Sequence, residues 1–362
     1  MSGGQWRRPA QVDGQQPGLG AATERLVHAV ARAVDLPTAT GSGLTIDRQR
    51  LAGRSNIHVV SAPGPGPGRR RWVVKQPHTE WSQDDVSNPL SAQHEFEALR
   101  RLHQHFAGLG LPFRVPEPVA FLPEVDAVVM EYVDGVTVKD LLHYGSLSRP
   151  RMLLDGLSAS GAFLRHLHAM EVFPEVEVDL KEQAEHVLEV AEAKLHPLGL
   201  DLPERVRRTM LELPRVRVSA PQVRLHGDFG PANILLARDG STVGLDPALE
   251  AIGFPEEDLV RYVALTSGII RLAPELVLPP LAGIRRQMEH RLLEAYYQDS
   301  AWPPLYELKY LHQLCRRWCR MRELAAQNES PARLSVKLRV IGAQMRTLMR
   351  DSARRLSREL EA

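Results

Sequence analysis

The stretch RLHGDFGPANILL, from Arg224 to Leu236, sets His226, Asp228 and Asn233 between apolar flanks. Asp228 and Asn233 stand five residues apart, around a Gly-Pro pair that forces a loop, so both side chains can face one point. Asp246 follows the next strand-like run, STVGLDP, and can reach the same point. An amide oxygen and a carboxylate are hard donors that suit Mg²⁺, an ion that keeps waters and shares its ligands with phosphate. With Asn233 and Asp246 so used, Asp228 is left to accept a proton from a hydroxyl. One base, one Asn on metal and one Asp on metal are the parts that phosphoryl transfer requires.

Such groups need rigid supports, because a site that must be ordered at each turnover loses rate. The runs QVRLHG and STVGLDP read as strands that hold the loop. Further upstream, GLTIDRQRLAG, IHVVSA, RWVVKQP, EPVAFL and AVVMEYVDG read as five more strands. PGPGPG, after the second of these, is a hairpin tip, since proline and glycine cannot continue a strand. Between the third and fourth, SAQHEFEALRRLHQHF places Phe96, Leu99, Leu102 and Phe106 on one helical face. Beyond Gly135 the pattern turns helical. The expected class is α+β: residues 1–20, rich in Gly, Gln and Pro, disordered; a β-rich lobe over 21–133; and a helical lobe over 134–362. The second lobe carries the loop 224–236 and the metal motif 243–248.

HGDFGPANIL resembles the catalytic loop of the aminoglycoside phosphotransferase / choline-kinase-like family, a branch of the protein-kinase-like fold. The likeness runs from about Leu51 to the helices after Asp258. It implies a bilobal fold with a small antiparallel five-stranded lobe and a larger, mainly helical one. It implies Asp228 as catalytic base, Asn233 and Asp246 as magnesium ligands, and Asp258 as the acid that braces the loop beside His226. Lys75 in WVVKQP matches the lysine that contacts ATP phosphates, and Glu95 the acid that pairs with it; Glu97 is the competitor. MEYVDG resembles the hinge, with Met130, Glu131 and Val133 holding adenine through the backbone. Ser55 and Asn56 in LAGRSNIHVV match the turn that covers the phosphates, although Ala52 stands where a second glycine is common. The cofactors implied are Mg²⁺ and ATP, with GTP open. The implied reaction moves the γ-phosphate to a hydroxyl of a small molecule. That acceptor could be an antibiotic or amino sugar in resistance, or choline, homoserine, a sugar or a natural-product intermediate in metabolism. A relative without activity, binding nucleotide as a regulatory module, is the other class; the intact Lys, Asp, Asn, Asp set argues against it.

Net charge is +1, with 25% charged and 43% hydrophobic residues, so global electrostatics select neither nucleic acid nor membrane as partner. No stretch reaches the ~18 apolar residues of a membrane span, and the expected setting is cytoplasmic, as monomer or homodimer. Cys315 and Cys319, four apart, read as a buried reduced pair. Glu182, Glu185, Glu189 and Glu192 form one helical stripe. Glu185, Glu189 and Glu192, with Glu250, are candidates for binding a cationic acceptor, the alternative being the wet face of an ordinary amphipathic helix. Glu250, Glu256 and Glu257 otherwise read as solvated charges, and His166 and His168 as a helical pair on different faces. Lys309–Arg358 carries 13 Lys/Arg against 3 Asp/Glu, either a solvated face or a site for an anionic acceptor or partner.

Overall fold

A computed structural model describes residues 17–35, 43–52, 55–64, 68–77, 91–145, 149–199, 201–267, 284–299, 302–327 and 331–361. The chain folds as two compact units, Met1–Gly135 with Ala237–Ala248, and Val136–Leu236 with Leu249–Ala362. The disorder expected over 1–20 lies outside the described residues as far as 16. Pro17–Gly20 are instead the first turn of a helix, where the fixed φ of proline suits the start. Residues 65–67 of the PGPGPG tip also lie outside the described residues.

The first unit opens with α1 (Pro17–Ala33), then β1 (Thr45–Ala52), β2 (Ser55–Pro63) and β3 (Arg69–Pro77). After α2 (Ala92–Leu109) come β4 (Phe113–Arg114), β5 (Pro118–Leu122) and β6 (Ala127–Glu131). β1, β2, β3, β6 and β5 form, in that order, one five-stranded sheet. Its pairings are antiparallel throughout. These are the five strands that the sequence pattern marks. Period-two alternation along β3 decides what each face does. Trp72 and Val74 join Leu26, Val30, Val60 and Val129 in one core against α1, so Lys75 points to the other face. α2 starts at Ser91, whose side chain accepts from the His94 N–H, and stops at Gly110 in the left-handed region. Those two caps fix which helical residues lie under Lys75.

The second unit begins with β7 (Gly135–Thr137), the single-turn α3 (Val138–Asp140), and α4 (Pro150–His168). β8 (Val172–Asp179), α5 (Leu180–Leu195), α6 (Glu204–Glu212) and β9 (Arg217–Arg224) follow. β10 (Ile234–Ala237), β11 (Thr242–Gly244), β12 (Ile252–Gly253) and α7 (Pro255–Ser267) come next. The chain ends in α8 (Ile284–Tyr297), α9 (Pro304–Gln327) and α10 (Pro331–Glu361). β11 belongs to the first unit, because it pairs in parallel with β4. β8 is a strand that the sequence pattern does not mark. Pro174 and three acids disguise it, and the structure tolerates them because β8 lies at the edge of the sheet β12-β9-β8, with a bulge at the proline.

α4 and α8 pack closely at Gly161. A Cβ there would stand 2.1 Å from the Leu292 carbonyl oxygen. Gly161→Ala is therefore expected to cost about 1–3 kcal/mol, because a backbone oxygen cannot step aside as a side chain can. Urea unfolding gives the check; an unchanged midpoint would mean that the helices are not seated this closely. α8, α9 and α10 are tied by a half-buried cation on buried acids. Arg355 reaches Glu307 at 2.5 Å and Glu289 at 3.3 Å, and Ser352 donates to Glu307 at 2.8 Å. Cys315 and Cys319 are buried free thiols, as expected.

Candidate active site

In the first unit Lys75 Nζ lies 2.9 Å from Glu95 Oε1 and 2.9 Å from Asp246 Oδ1. Glu97 stays on the exposed side of α2 and accepts from Gln93. The choice between the two glutamates follows from helical phase. Position 95 shares the buried side with Ala92, Leu99 and Leu102. Burial lowers the lysine's affinity for its proton, but the Asp246 and Glu95 carboxylates more than reverse this and hold it above the ordinary lysine range. Burial raises the Glu95 carboxyl, and the Lys75 ammonium opposes that. Lys75 is therefore a permanent cation.

Asp246 lies just beyond β11 with φ of 54°, a left-handed conformation that Asp tolerates better than most residues. The next residues are pinned from α2, where His94 donates to the Ala248 carbonyl at 2.7 Å. Neighbouring residues of one helix thus locate both the lysine's acid and the Asp246 loop. Met130 and Glu131 end β6 beside Val73 and Trp72 of β3, and half-buried Val133 follows. Glu131 takes Arg114 at 2.6 Å. Ser55 and Asn56 begin β2, opposite Ala52 and Leu51.

In the second unit β9 delivers the loop and α7 holds it. Asp258, on the first turn of α7, accepts from the His226 N–H at 2.6 Å and the Gly227 N–H at 3.1 Å. His168 Nε2, at the end of α4, lies 3.1 Å from the same carboxylate, and His168 Nδ1 lies 2.8 Å from the Tyr296 hydroxyl. Burial pushes the Asp258 carboxyl up, but the N–H groups of His168 and His226 bring it below the usual carboxylate range. Gly227 sits at φ 82°, which only glycine adopts without strain. The His226 ring is fully buried, edge-on to Phe229 at 5.4 Å between centroids.

Asp228 is half-exposed. Asn233 Nδ2 donates to its carbonyl at 2.9 Å and lies 3.4 Å from its carboxylate. Arg261 Nη2 forms an ion pair with Asp228 Oδ1. A carboxylate so placed has its backbone and one oxygen fixed while facing solvent, which suits a group that must meet a substrate hydroxyl.

The acidic stripe is the wet face of α5. Glu185 lies 3.5 Å from Lys181 and Glu192 3.0 Å from Arg207 of α6, while Glu189 and Glu250 are exposed. One of the neighbouring glutamates differs from expectation. Glu256 is buried, not solvated, and takes the Tyr297 hydroxyl of α8 at 3.0 Å; Glu257, its side chain 41% exposed, pairs with Lys309 of α9 at 3.0 Å. α8 and α9 both pack against α7 and cover Glu256. Sequence reasoning missed Arg261 and His168. Arg261 had a signal: it lies three residues after Asp258, so one helix face serves both ends of the loop. His168 had none, since its partner is 90 residues away.

A family model described as the phosphotransferase enzyme family matches residues 48–308. Among solved structures, a choline/ethanolamine kinase family protein from Mesorhizobium loti is 15% identical over 93% of this chain and 98% of its own, with a TM-score of 0.51. An aminoglycoside phosphotransferase from Alicyclobacillus acidocaldarius is 12% identical over 90% and 96%, with a TM-score of 0.53. An ethanolamine kinase from Plasmodium vivax is 10% identical over 93% and 91%, with a TM-score of 0.51. At these identities the likeness is one of fold, and that fold is the kinase-like α+β architecture expected from the sequence. No curated protein matches the chain. Among the described residues no helix is long and apolar enough to cross a membrane.

Proposed function

The chain belongs to the phosphotransferase enzyme family, and from that premise we propose that it moves the γ-phosphoryl group of ATP, with Mg²⁺, to a hydroxyl of a small molecule. Family membership carries the coarse activity, phosphotransfer to a small molecule. The observation that carries the finer reading is the loop held by Asp258, which fixes Asp228 beside Asn233 with its carboxylate toward solvent.

In this reading Asp228 accepts the hydroxyl proton as the acceptor oxygen bonds to phosphorus and the bond to the bridging oxygen breaks, releasing the nucleoside diphosphate. Lys75, kept charged by Glu95 and Asp246, binds the nucleotide phosphates. Ser55 and Asn56 cover them, and Met130, Glu131 and Val133 hold the base. The donor set fits Mg²⁺ in kind. The nitrogen of the Asn233 amide is committed to the Asp228 carbonyl, which leaves the oxygen as the ligand atom. The Asp246 carboxylate is 41% exposed and lies against a lysine that phosphate can draw away. Asn233 and Asp246 would hold the ion, and bound there it would offset phosphate charge.

The test is nucleotide turnover with ATP or GTP and Mg²⁺ against a panel of hydroxyl acceptors: kanamycin, a macrolide, choline, homoserine and simple sugars. Mass spectrometry should find one added phosphate on an acceptor. Tight nucleotide binding with no product from any acceptor would favour the regulatory reading instead.

A further inference from the structure

One face of α7 meets residues 226–230 of the loop in order. Asp258 takes the N–H groups of His226 and Gly227. Arg261 Nη2 pairs with Asp228 Oδ1. The Tyr262 ring lies 5.0 Å from that of Phe229, centroid to centroid. Leu265 closes over Gly230, where an added Cβ would stand 2.8 Å from Leu265 Cδ1. Positions 258, 261, 262 and 265 recur at the helical period and so share one side of α7. Contacts before and after Arg261 thus hold it in register with Asp228.

Stability does not account for an arginine at this place. The ion pair is open to water, its side chains 39% and 46% exposed, and a pair so placed adds little to stability. Arg261 Nε is buried and makes no hydrogen bond among the described residues, so its desolvation is not repaid. An apolar side chain could cover the same surface as the arginine stem without that cost. What the guanidinium does supply is direction. A free aspartate carboxylate turns easily about its last bond and exchanges its two oxygens. With Oδ1 on Arg261, Oδ2 is left with one long contact, 3.4 Å from Asn233 Nδ2, whose better bond, at 2.9 Å, goes to the Asp228 carbonyl.

We propose that Arg261 is the positioning residue of the base: it ties up Oδ1 of Asp228 and so sets Oδ2 as the oxygen that receives the acceptor's proton. In that step the acceptor O–H bond breaks and its proton goes to Oδ2. The acceptor oxygen bonds to phosphorus, and the bridging oxygen leaves with the nucleoside diphosphate. This rests on the phosphotransfer reading and adds to it a residue that acts only through Asp228.

The experiment measures kcat, both KM values and the thermal midpoint, with the acceptor that wild type uses best. The variants are Arg261→Met, Arg261→Lys, Arg261→Ala, Asp228→Ala and the double variant Asp228→Ala/Arg261→Met. Arg261→Met should lower kcat about 10- to 100-fold, the cost of a misplaced reacting group, with nucleotide KM unmoved and the thermal midpoint unchanged or raised. Arg261→Lys should keep part of the rate, because it keeps a charged donor without the planar fork. Arg261→Ala should be slow, and millimolar guanidinium chloride should restore part of its rate, with no gain for wild type or Asp228→Ala and none from sodium chloride. On the Asp228→Ala background Arg261→Met should cost nothing further, since two residues that act as one do not add. A kcat for Arg261→Met within about threefold of wild type, a further loss in the double variant, or a rise in nucleotide KM overturns the proposal while phosphotransfer stands. So does a rate that falls only in step with the midpoint and is not rescued by guanidinium, which makes Arg261 a structural residue. If wild type phosphorylates no acceptor and hydrolyses no ATP, the phosphotransfer reading fails and this inference fails with it.

Discussion

Asp228→Ala is expected to lower kcat by ~10²–10⁴, the usual contribution of a positioned base, with nucleotide KM little changed. The size follows from position. Asp228 is half-exposed at the end of a loop whose preceding backbone N–H groups are both held by Asp258. Its removal leaves that bracing untouched, so the fold should persist and the loss should be one of chemistry. Asp228→Asn separates two roles that alanine confounds. If the carboxylate takes the proton, the amide should be about as slow as alanine. If Asp228 serves only to hold Arg261 or Asn233 by hydrogen bonds, the amide should recover most of the rate. Steady-state kinetics on both variants, with the acceptor saturating, make the comparison. Retention of activity within about tenfold by Asp228→Ala would remove the base from the mechanism.

How much of this could be read from the chain depends on how far apart the partners lie. The five strands follow from periodicity; Lys75 and Glu95 are picked out by the family resemblance, and two local facts, the alternation of Trp72 and Val74 against Lys75 and the buried helical phase of Glu95, agree with it. The Asp228–Asn233 pair is local too. Arg261 and His168 meet partners 33 and 90 positions away. No pattern within one segment reports such a contact. Glu256 shows the same limit from the other side. Its segment looks wet, and only the arrival of α9 and Tyr297 makes it dry. β8 shows a third form. A strand with proline and alternating acids is legible only once its edge position is known.

Asp258→Ala should cost the protein both stability and rate. The carboxylate is buried and accepts from three donors: two consecutive backbone N–H groups of the loop and the imidazole of His168. Removing one member of a buried charged network typically costs about 3–5 kcal/mol, because the other members stay buried and unmet. Asp258→Asn should lie between, since one amide oxygen can replace one carboxylate oxygen while the NH₂ faces a donor. Rate should fall with stability in both variants, because Gly227 is the residue before Asp228 and loses its anchor. The pH dependence has a definite sign. The folded Asp258 carboxyl lies below the ordinary carboxylate pKa of ~3.9, so its contribution is complete above that value and is lost as pH falls through the lower, folded one. The gap in urea midpoint between wild type and Asp258→Ala should therefore hold steady from pH 7 to about pH 5 and close below about pH 4. A gap that persists undiminished in acid would show that the carboxylate's charge is not what braces the loop. The absence of a gap at pH 7 would show that the backbone N–H groups find other acceptors when Asp258 is gone.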